Sequence, residues 1–401
     1  MRAILDPGCL VCAVVVCVMV LVSACGEGEP GERNAAPADT TAGSVGEVDL
    51  MAEAPVLRVG YVGHDHHAAV YVAASLGDRM REEYGIYLAP LREGELYALV
   101  EDNEKVAEIE LFRASGGGSV VPTSMAAGEF DLGFGGVVAF AAGADQGTGI
   151  AIVSPAHSRG DMLVVGPGNG AVSDWASFLD WVRSSEAPVR VGYKNPSSVA
   201  VTIFEAALAA EGVAYARSSD EAGAEIVLIN MNGEANLIPG LETGTIDAYV
   251  SNNPWCALAE HNGQGRCVAE LSDLPPGTWR DHPCCAIAAT LEAREQKADL
   301  VACFLRLIAA ATDLINRYPQ EAAQATADWL GNPVEVELVS MATSGYDMQV
   351  SRDWLANMEA MVESMRGLGS FSGPLADADW QAASSLIFDW SLLPAEYRPA
   401  D

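Results

Sequence analysis

The feature that most constrains this chain is a phrase it states twice. Met125-Ala126-Ala127-Gly128-Glu129-Phe130-Asp131 is followed by Leu132-Gly133-Phe134-Gly135-Gly136, and Leu241-Glu242-Thr243-Gly244-Thr245-Ile246-Asp247 by Ala248-Tyr249-Val250-Ser251-Asn252. Both read as a helix end, a capping glycine, an apolar residue, an aspartate, a strand and a small polar turn. The offset is 116 residues, from Gly128 to Gly244 and again from Asp131 to Asp247. Glycine takes the left-handed conformation of a helix C-cap without steric cost, which accounts for its place. Strand-like runs surround the two phrases in two series, at 57–62, 86–91, 108–112, 131–134, 149–153 and 162–165, then at 189–193, 225–229, 246–250 and 267–271. A helical pattern over 68–84 puts Val70, Ala73, Ala74 and Gly77 on one face. The alternation predicts α/β architecture in two similar lobes, which a length of 401 residues also favours. After residue 288 the pattern turns helical, over 291–318 and 320–330.

Half of the residues are hydrophobic and 19% are charged, enough apolar surface for packed cores. Fifty-five acids against 22 bases leave a net charge of −33, and Lys105, Lys194 and Lys297 are the only lysines. Such a surface repels polyanions at long range, so nucleic acid is excluded as a partner. The acid excess itself reads as a solvated surface.

The N-terminus reads as an address. Residues 9–22 carry no charge over fourteen positions, too short to cross a bilayer but suited to the apolar region of a signal peptide. Val22-Ser23-Ala24-Cys25 then resembles the bacterial lipoprotein processing box, which implies a signal peptide over 1–24 and acylation of Cys25. The stretch 25–55 lacks aromatic residues and periodicity and reads as a flexible tether spanning about 30 Å.

Taken in order, further pieces make the body specific. They are Val59-Gly60-Tyr61, His67-Ala68-Ala69-Val70-Tyr71-Val72-Ala73, Gly116-Gly117-Gly118-Ser119, Gly128-Glu129-Phe130-Asp131, Val191-Gly192-Tyr193-Lys194-Asn195-Pro196-Ser197-Ser198, Gly244-Thr245-Ile246-Asp247-Ala248 and Asn253-Pro254-Trp255. Over residues 57–290, with a helical tail to about 330, the chain resembles the substrate-binding components of ABC importers in the family that handles nitrate, sulfonates, taurine, bicarbonate and thiamine-pyrimidine precursors. The resemblance implies a two-lobed periplasmic-binding-protein fold of type II. Two mixed α/β lobes would be joined by two hinge crossings, with a helical C-terminal extension. Lobe I is expected over 56–166 and again over 281–401, lobe II over 167–280, and the hinges near 166–170 and 281–285. The body cysteines depart from that pattern, since transport members do not generally need them.

In such a fold, strand ends feed helix N-termini, whose free N–H groups and partial positive charge suit an anion. Lys194-Asn195-Pro196-Ser197-Ser198 precedes a helix expected over Val199–Glu211 that stops at Gly212, with Ser197 or Ser198 as its cap. Glycines at Gly117 and Gly118, with Ser119, permit close backbone approach. Gly135 and Gly136 find their echo in Asn252 and Asn253, and Asn232 completes the candidates. The segment Gly63-His64-Asp65-His66-His67 holds three of the six histidines. His64, His66 and His67 suit donation to an anionic or carbonyl oxygen, with protonation favoured by surplus acid. His64 and His67 alternatively share a metal at i, i+3. The resemblance puts His67 beside the ligand.

No cysteine spacing matches a zinc motif, so no metal or cofactor is expected. Cys256 and Cys267 bracket a loop and are either free or joined in a disulfide that export permits. Cys284 and Cys285 read as small buried apolar groups. The leading reading is a monomeric, non-enzymatic lipoprotein receptor, periplasmic or at the cell surface. It would capture a monoanion or a heterocycle and deliver it to ABC permease transmembrane subunits. Alternatives are an enzyme like the thiamine-pyrimidine synthases, using His and Cys chemistry, and an extracytoplasmic sensor.

Overall fold

A computed structural model describes residues 48–115, 118, 120–217 and 223–400. The signal peptide, Cys25 and most of the tether lie outside the described residues, as do Gly117 and Ser119. The end of the expected tether is docked: Val48 and Leu50 pack against the core, and Lys105 Nζ donates to Leu50 O at 2.9 Å and Ala52 O at 2.7 Å.

Among the described residues fourteen strands run in chain order: β1 (Val56–Tyr61), β2 (Ile86–Arg92), β3 (Leu96–Glu101), β4 (Glu104–Arg113), β5 (Leu132–Gly136), β6 (Ile150–Arg159), β7 (Asp161–Val165), β8 (Val189–Tyr193), β9 (Tyr215–Ala216), β10 (Ile226–Asn230), β11 (Ala248–Asn252), β12 (Arg266–Glu270), β13 (Pro283–Thr290) and β14 (Ser344–Tyr346). They form two mixed sheets, β14-β6-β13-β5-β1-β4-β3-β2 and β12-β7-β11-β8-β10-β9. The centres of the two sheets match. β1 lies parallel between β4 and β5, and β8 lies parallel between β10 and β11. An antiparallel strand then covers β5 or β11, namely β13 or β7.

The repeated phrase explains the match. Arg58 on β1 donates its backbone N–H to Asp131 Oδ2 at 2.8 Å, its guanidinium to both carboxylate oxygens, and Nη1 to Gly128 O at 2.7 Å. Arg190 on β8 does the same with Asp247, at 2.9 Å from the backbone, and with Gly244 O at 2.6 Å. Gly128 and Gly244 both have positive φ, 76° and 66°. The apolar residue before each aspartate covers a strand glycine. A Cβ on Gly60 would stand 2.3 Å from Phe130, and one on Gly192 would stand 2.5 Å from Ile246. Each lobe therefore starts from the same clasp, a strand of the form Arg-Val-Gly-Tyr locked to Gly-x-apolar-Asp.

Some expectations change. The pattern over 68–84 is two helices, Ala68–Ser75 and Gly77–Tyr84, because Gly77 passes so near β2 that a Cβ would lie 2.6 Å from Leu88 O. β3 escapes the sequence reading although Asp102 and Asn103, both at positive φ, close its hairpin with β4. The first crossing is at Arg159–Gly160 rather than 166–170, since β7 already belongs to the second sheet. It runs beside the return crossing. Arg159 N–H donates to His282 O at 3.1 Å, Arg159 pairs with Asp281 at 3.4 Å, and His282 Nε2 lies 3.0 Å from Asp161 Oδ2. The helices Leu291–Gln296, Ala298–Arg317 and Pro319–Leu330 follow, then Val334–Met341, Arg352–Gly367 and Trp380–Ile387. Buried residues of all six belong to the core that holds the first sheet.

Candidate functional site

Where β1 and β8 end, each lobe presents a loop that enters a helix, and the two loops face one cavity. His64, His66, Gly118 and Gly136 line it from one lobe, Lys194, Ser197 and Ser198 from the other, and Asp161, Cys284 and Cys285 from the crossings. The lobes are close there: a Cβ on Gly136 would lie 3.8 Å from Val199 Cγ2.

The histidine loop is braced from behind. The Tyr71 hydroxyl donates toward Val62 O at 2.8 Å and His64 O at 2.9 Å, Tyr346 Oη donates to Asp65 O at 2.9 Å, and Ser340 Oγ to the Asp65 carboxylate. Ser340 on the helix Val334–Met341 and Tyr346 on β14 thus hold the loop from the C-terminal part of the chain. His67 Nδ1 accepts from Val62 N–H at 3.0 Å, and its ring lies 4.3 Å from that of His64, tilted by 50°. His64, His66 and His67 are buried to 2% exposure or less. Burial opposes the imidazolium, and Lys194 adds repulsion, so all three titrate below the usual histidine range, His67 at about 3. The expected protonation by surplus acid is therefore reversed. That acid lies outside, while desolvation acts on the ring itself.

On the other side, Lys194 Nζ donates to Glu234 Oε1 at 3.0 Å and to Asn252 Oδ1. Burial disfavours its charge, but Glu234 together with Cys284, Cys285 and Asp161 outweighs that and raises its pKa. Ser198, not Ser197, caps the helix Val199–Glu211, its Oγ accepting from Val201 N–H at 3.4 Å, and Gly212 ends it in the left-handed region. The Ser197 N–H is held by Asn195 Oδ1 at 3.0 Å. Asn253 turns away from the cavity, toward Thr343 Oγ1 at 2.9 Å. Asn232 is an exposed turn residue with φ 55°. Gly135 is buried behind Gly136.

His157 was missed by the sequence reading, and Cys284 and Cys285 were read only as packing. His157 stands on β6, its ring 3.8 Å from that of His66. Cys284 Sγ lies 3.5 Å from His66 Nδ1. Adjacent residues of a strand normally face opposite ways. The pairing of β13 with β6 slips on either side of Cys285, and both thiols line the cavity. Burial raises the Cys284 thiol. For Cys285, burial is outweighed by Cys284, His157 and Lys194, which bring its pKa down. Cys256 and Cys267 share an apolar cluster as free thiols, so the structure carries no bridge between them.

Two lobes, paired crossings and a cleft at the strand ends define a periplasmic-binding-protein fold. A model of the NMT1-like family matches residues 51–331, and the chain belongs to that family. An uncharacterized protein of Methanocaldococcus jannaschii is 31% identical over 110 residues, 27% of this chain and 74% of that one. Three solved structures share the fold. The ligand-binding component of an ABC-type import system from Staphylococcus aureus, with zinc bound, is 15% identical, covers 85% of this chain and 99% of its own, and has a TM-score of 0.64. The periplasmic nitrate-binding protein NrtA from Synechocystis is 13% identical, with 85% and 87% covered and a TM-score of 0.63. A Candida albicans protein described as exhibiting the generic periplasmic binding protein fold is 13% identical, with 85% and 98% covered and a TM-score of 0.60.

Proposed function

We propose that this protein is the solute receptor of an ABC importer, a monomer held to the membrane by lipid on Cys25. It would close two lobes over one small solute and hand it to the permease. The observation that carries this reading is the cavity lined from both lobes beside the two stapled crossings. A hinge at that place lets the lobes part and rejoin around a guest without unfolding either. Lys194 is already committed to Glu234, which weighs against capture of an anion by charge and favours a neutral or cationic cargo over the nitrate-like one expected from resemblance. Among the described residues no helix is long and apolar enough to cross a membrane, so anchoring rests on the N-terminal sequence.

Native mass spectrometry of protein purified without refolding tests the receptor reading. A carried solute released chemically unchanged supports it, and turnover of that solute supports the enzyme alternative. Cys25→Ser should shift the protein from the membrane to the soluble fraction, as scored by fractionation and immunoblotting. Retention in detergent-free membranes would contradict the anchor.

A further inference from the structure

We propose that the cargo is a single thiophilic transition-metal ion of the zinc class, bound by His66, His157, Cys284 and Cys285. The proposal rests on the receptor reading and names what that receptor captures.

Four observations carry it. One ligand atom from each of these four side chains lies within 4.8 Å of the other three. Tightening of that set by about an ångström brings two sulfurs and two nitrogens to the corners of a tetrahedron around one ion. All four residues are buried, at 1–4% exposure. Both ring nitrogens of His157, and Nε2 of His66, have no hydrogen-bond partner. A buried imidazole nitrogen without a partner costs free energy that a bond to a metal removes. The room left in the cavity is about 20 Å3, which admits a guest the size of one water and no sulfonate.

Charge and chain order agree with this. Two thiolates neutralise a divalent ion, so the bound site adds no net charge beside the Lys194–Glu234 pair. Thiolate and imidazole together select zinc-class ions over magnesium or calcium, which prefer oxygen. The ligands arrive from three places: the loop after β1, the end of β6 next to the first crossing, and the start of β13 on the return crossing. Cys285 stands opposite His157 in the β13–β6 pairing, so neighbouring strands of the first sheet hold these two ligands together. His64 and His67 form a neighbouring trio with Cys285, with His64 Nδ1 and His67 Nε2 also unpartnered. That trio offers a resting place on the way in or out.

The test is titration of the full chain, reduced and stripped with chelator, with Co2+ alone. One equivalent should bring up the charge-transfer band of cobalt-thiolate and the intense red bands of tetrahedral cobalt, and Zn2+ should displace them. Cys284→Ser and Cys285→Ser should each weaken Co2+ binding more than about a hundredfold, beyond what loss of a supporting hydrogen bond to a ligand costs. Cys303→Ser, a thiol beside Glu101, should leave the bands unchanged. X-ray absorption of the wild-type zinc complex, which needs no variant to fold, should show two sulfur and two nitrogen neighbours. Folded, reduced protein that gives no cobalt-thiolate band, or zinc bound by oxygen and nitrogen alone, would overturn the proposal. If the protein then carries an organic solute, the receptor reading stands without the metal. If it takes up neither, both fall.

Discussion

Replacing Lys194 by methionine will destabilise the protein by about 4 kcal/mol, and adding Glu234→Gln will restore more than half of that loss. Lys194 and Glu234 side chains are 11% and 10% exposed, so water screens the pair little. Methionine fills the space of the alkyl stem but leaves the Glu234 carboxylate and Asn252 Oδ1 without their donor. Most of the cost is that uncompensated buried charge rather than the attraction itself, which is why the second substitution recovers it. Urea melts of the two single variants and the double variant measure the coupling. A Lys194→Met cost below about 1 kcal/mol, the range of exposed pairs, would show that water reaches the pair.

The two lobe clasps predict a difference of their own. Asp131 is 5% exposed in its side chain and holds both Arg58 and Lys297, while Asp247 is 29% exposed and holds Arg190. Asp131→Asn should therefore cost about 3 kcal/mol, and Asp247→Asn about 1–2 kcal/mol after allowance for screening. Burial raises both carboxyls, but the hydrogen bonds from Arg58 and Lys297, or from Arg190, outweigh it and set both below the usual range. A carboxyl with a lower pKa folded than unfolded stabilises the fold fully above its unfolded value, near pH 4. The stabilisation fades as pH falls through the folded value. Wild-type stability should thus drop below about pH 4, and the asparagine variants should show a flatter acid limb. Equal acid limbs in wild type and Asp131→Asn would contradict the clasp.

The repeated phrase was legible because it is compact in the chain: a helix end, a capping glycine, an apolar residue and an aspartate follow one another just before a strand. What the phrase clasps was not legible, since Asp131 stands 73 positions from Arg58 and Asp247 stands 57 from Arg190. The histidine loop and Lys194 were legible for the same reason, as residues at junctions of strand and helix. His157 was not. It lies in the second half of β6, where Pro155 and Ser158 interrupt the apolar pattern, and nothing local marks it as facing His66. Cys284 and Cys285 needed the slipped pairing of β13 before both could reach one cavity. No zinc spacing exists to be read, since His66 and Cys284 stand 218 positions apart. The protonation state of the histidines failed for a related reason: overall charge is a property of the surface, and burial is not visible in composition.

A receptor of the proposed kind clamps its guest in the cavity between the helix starts. Small-angle scattering tests it most directly, on the protein as purified with its solute and again after the solute has been exchanged away. The radius of gyration should be larger once the guest is gone, as Arg159–Gly160 and the return crossing open together. The same radius in both states would contradict a clamping receptor.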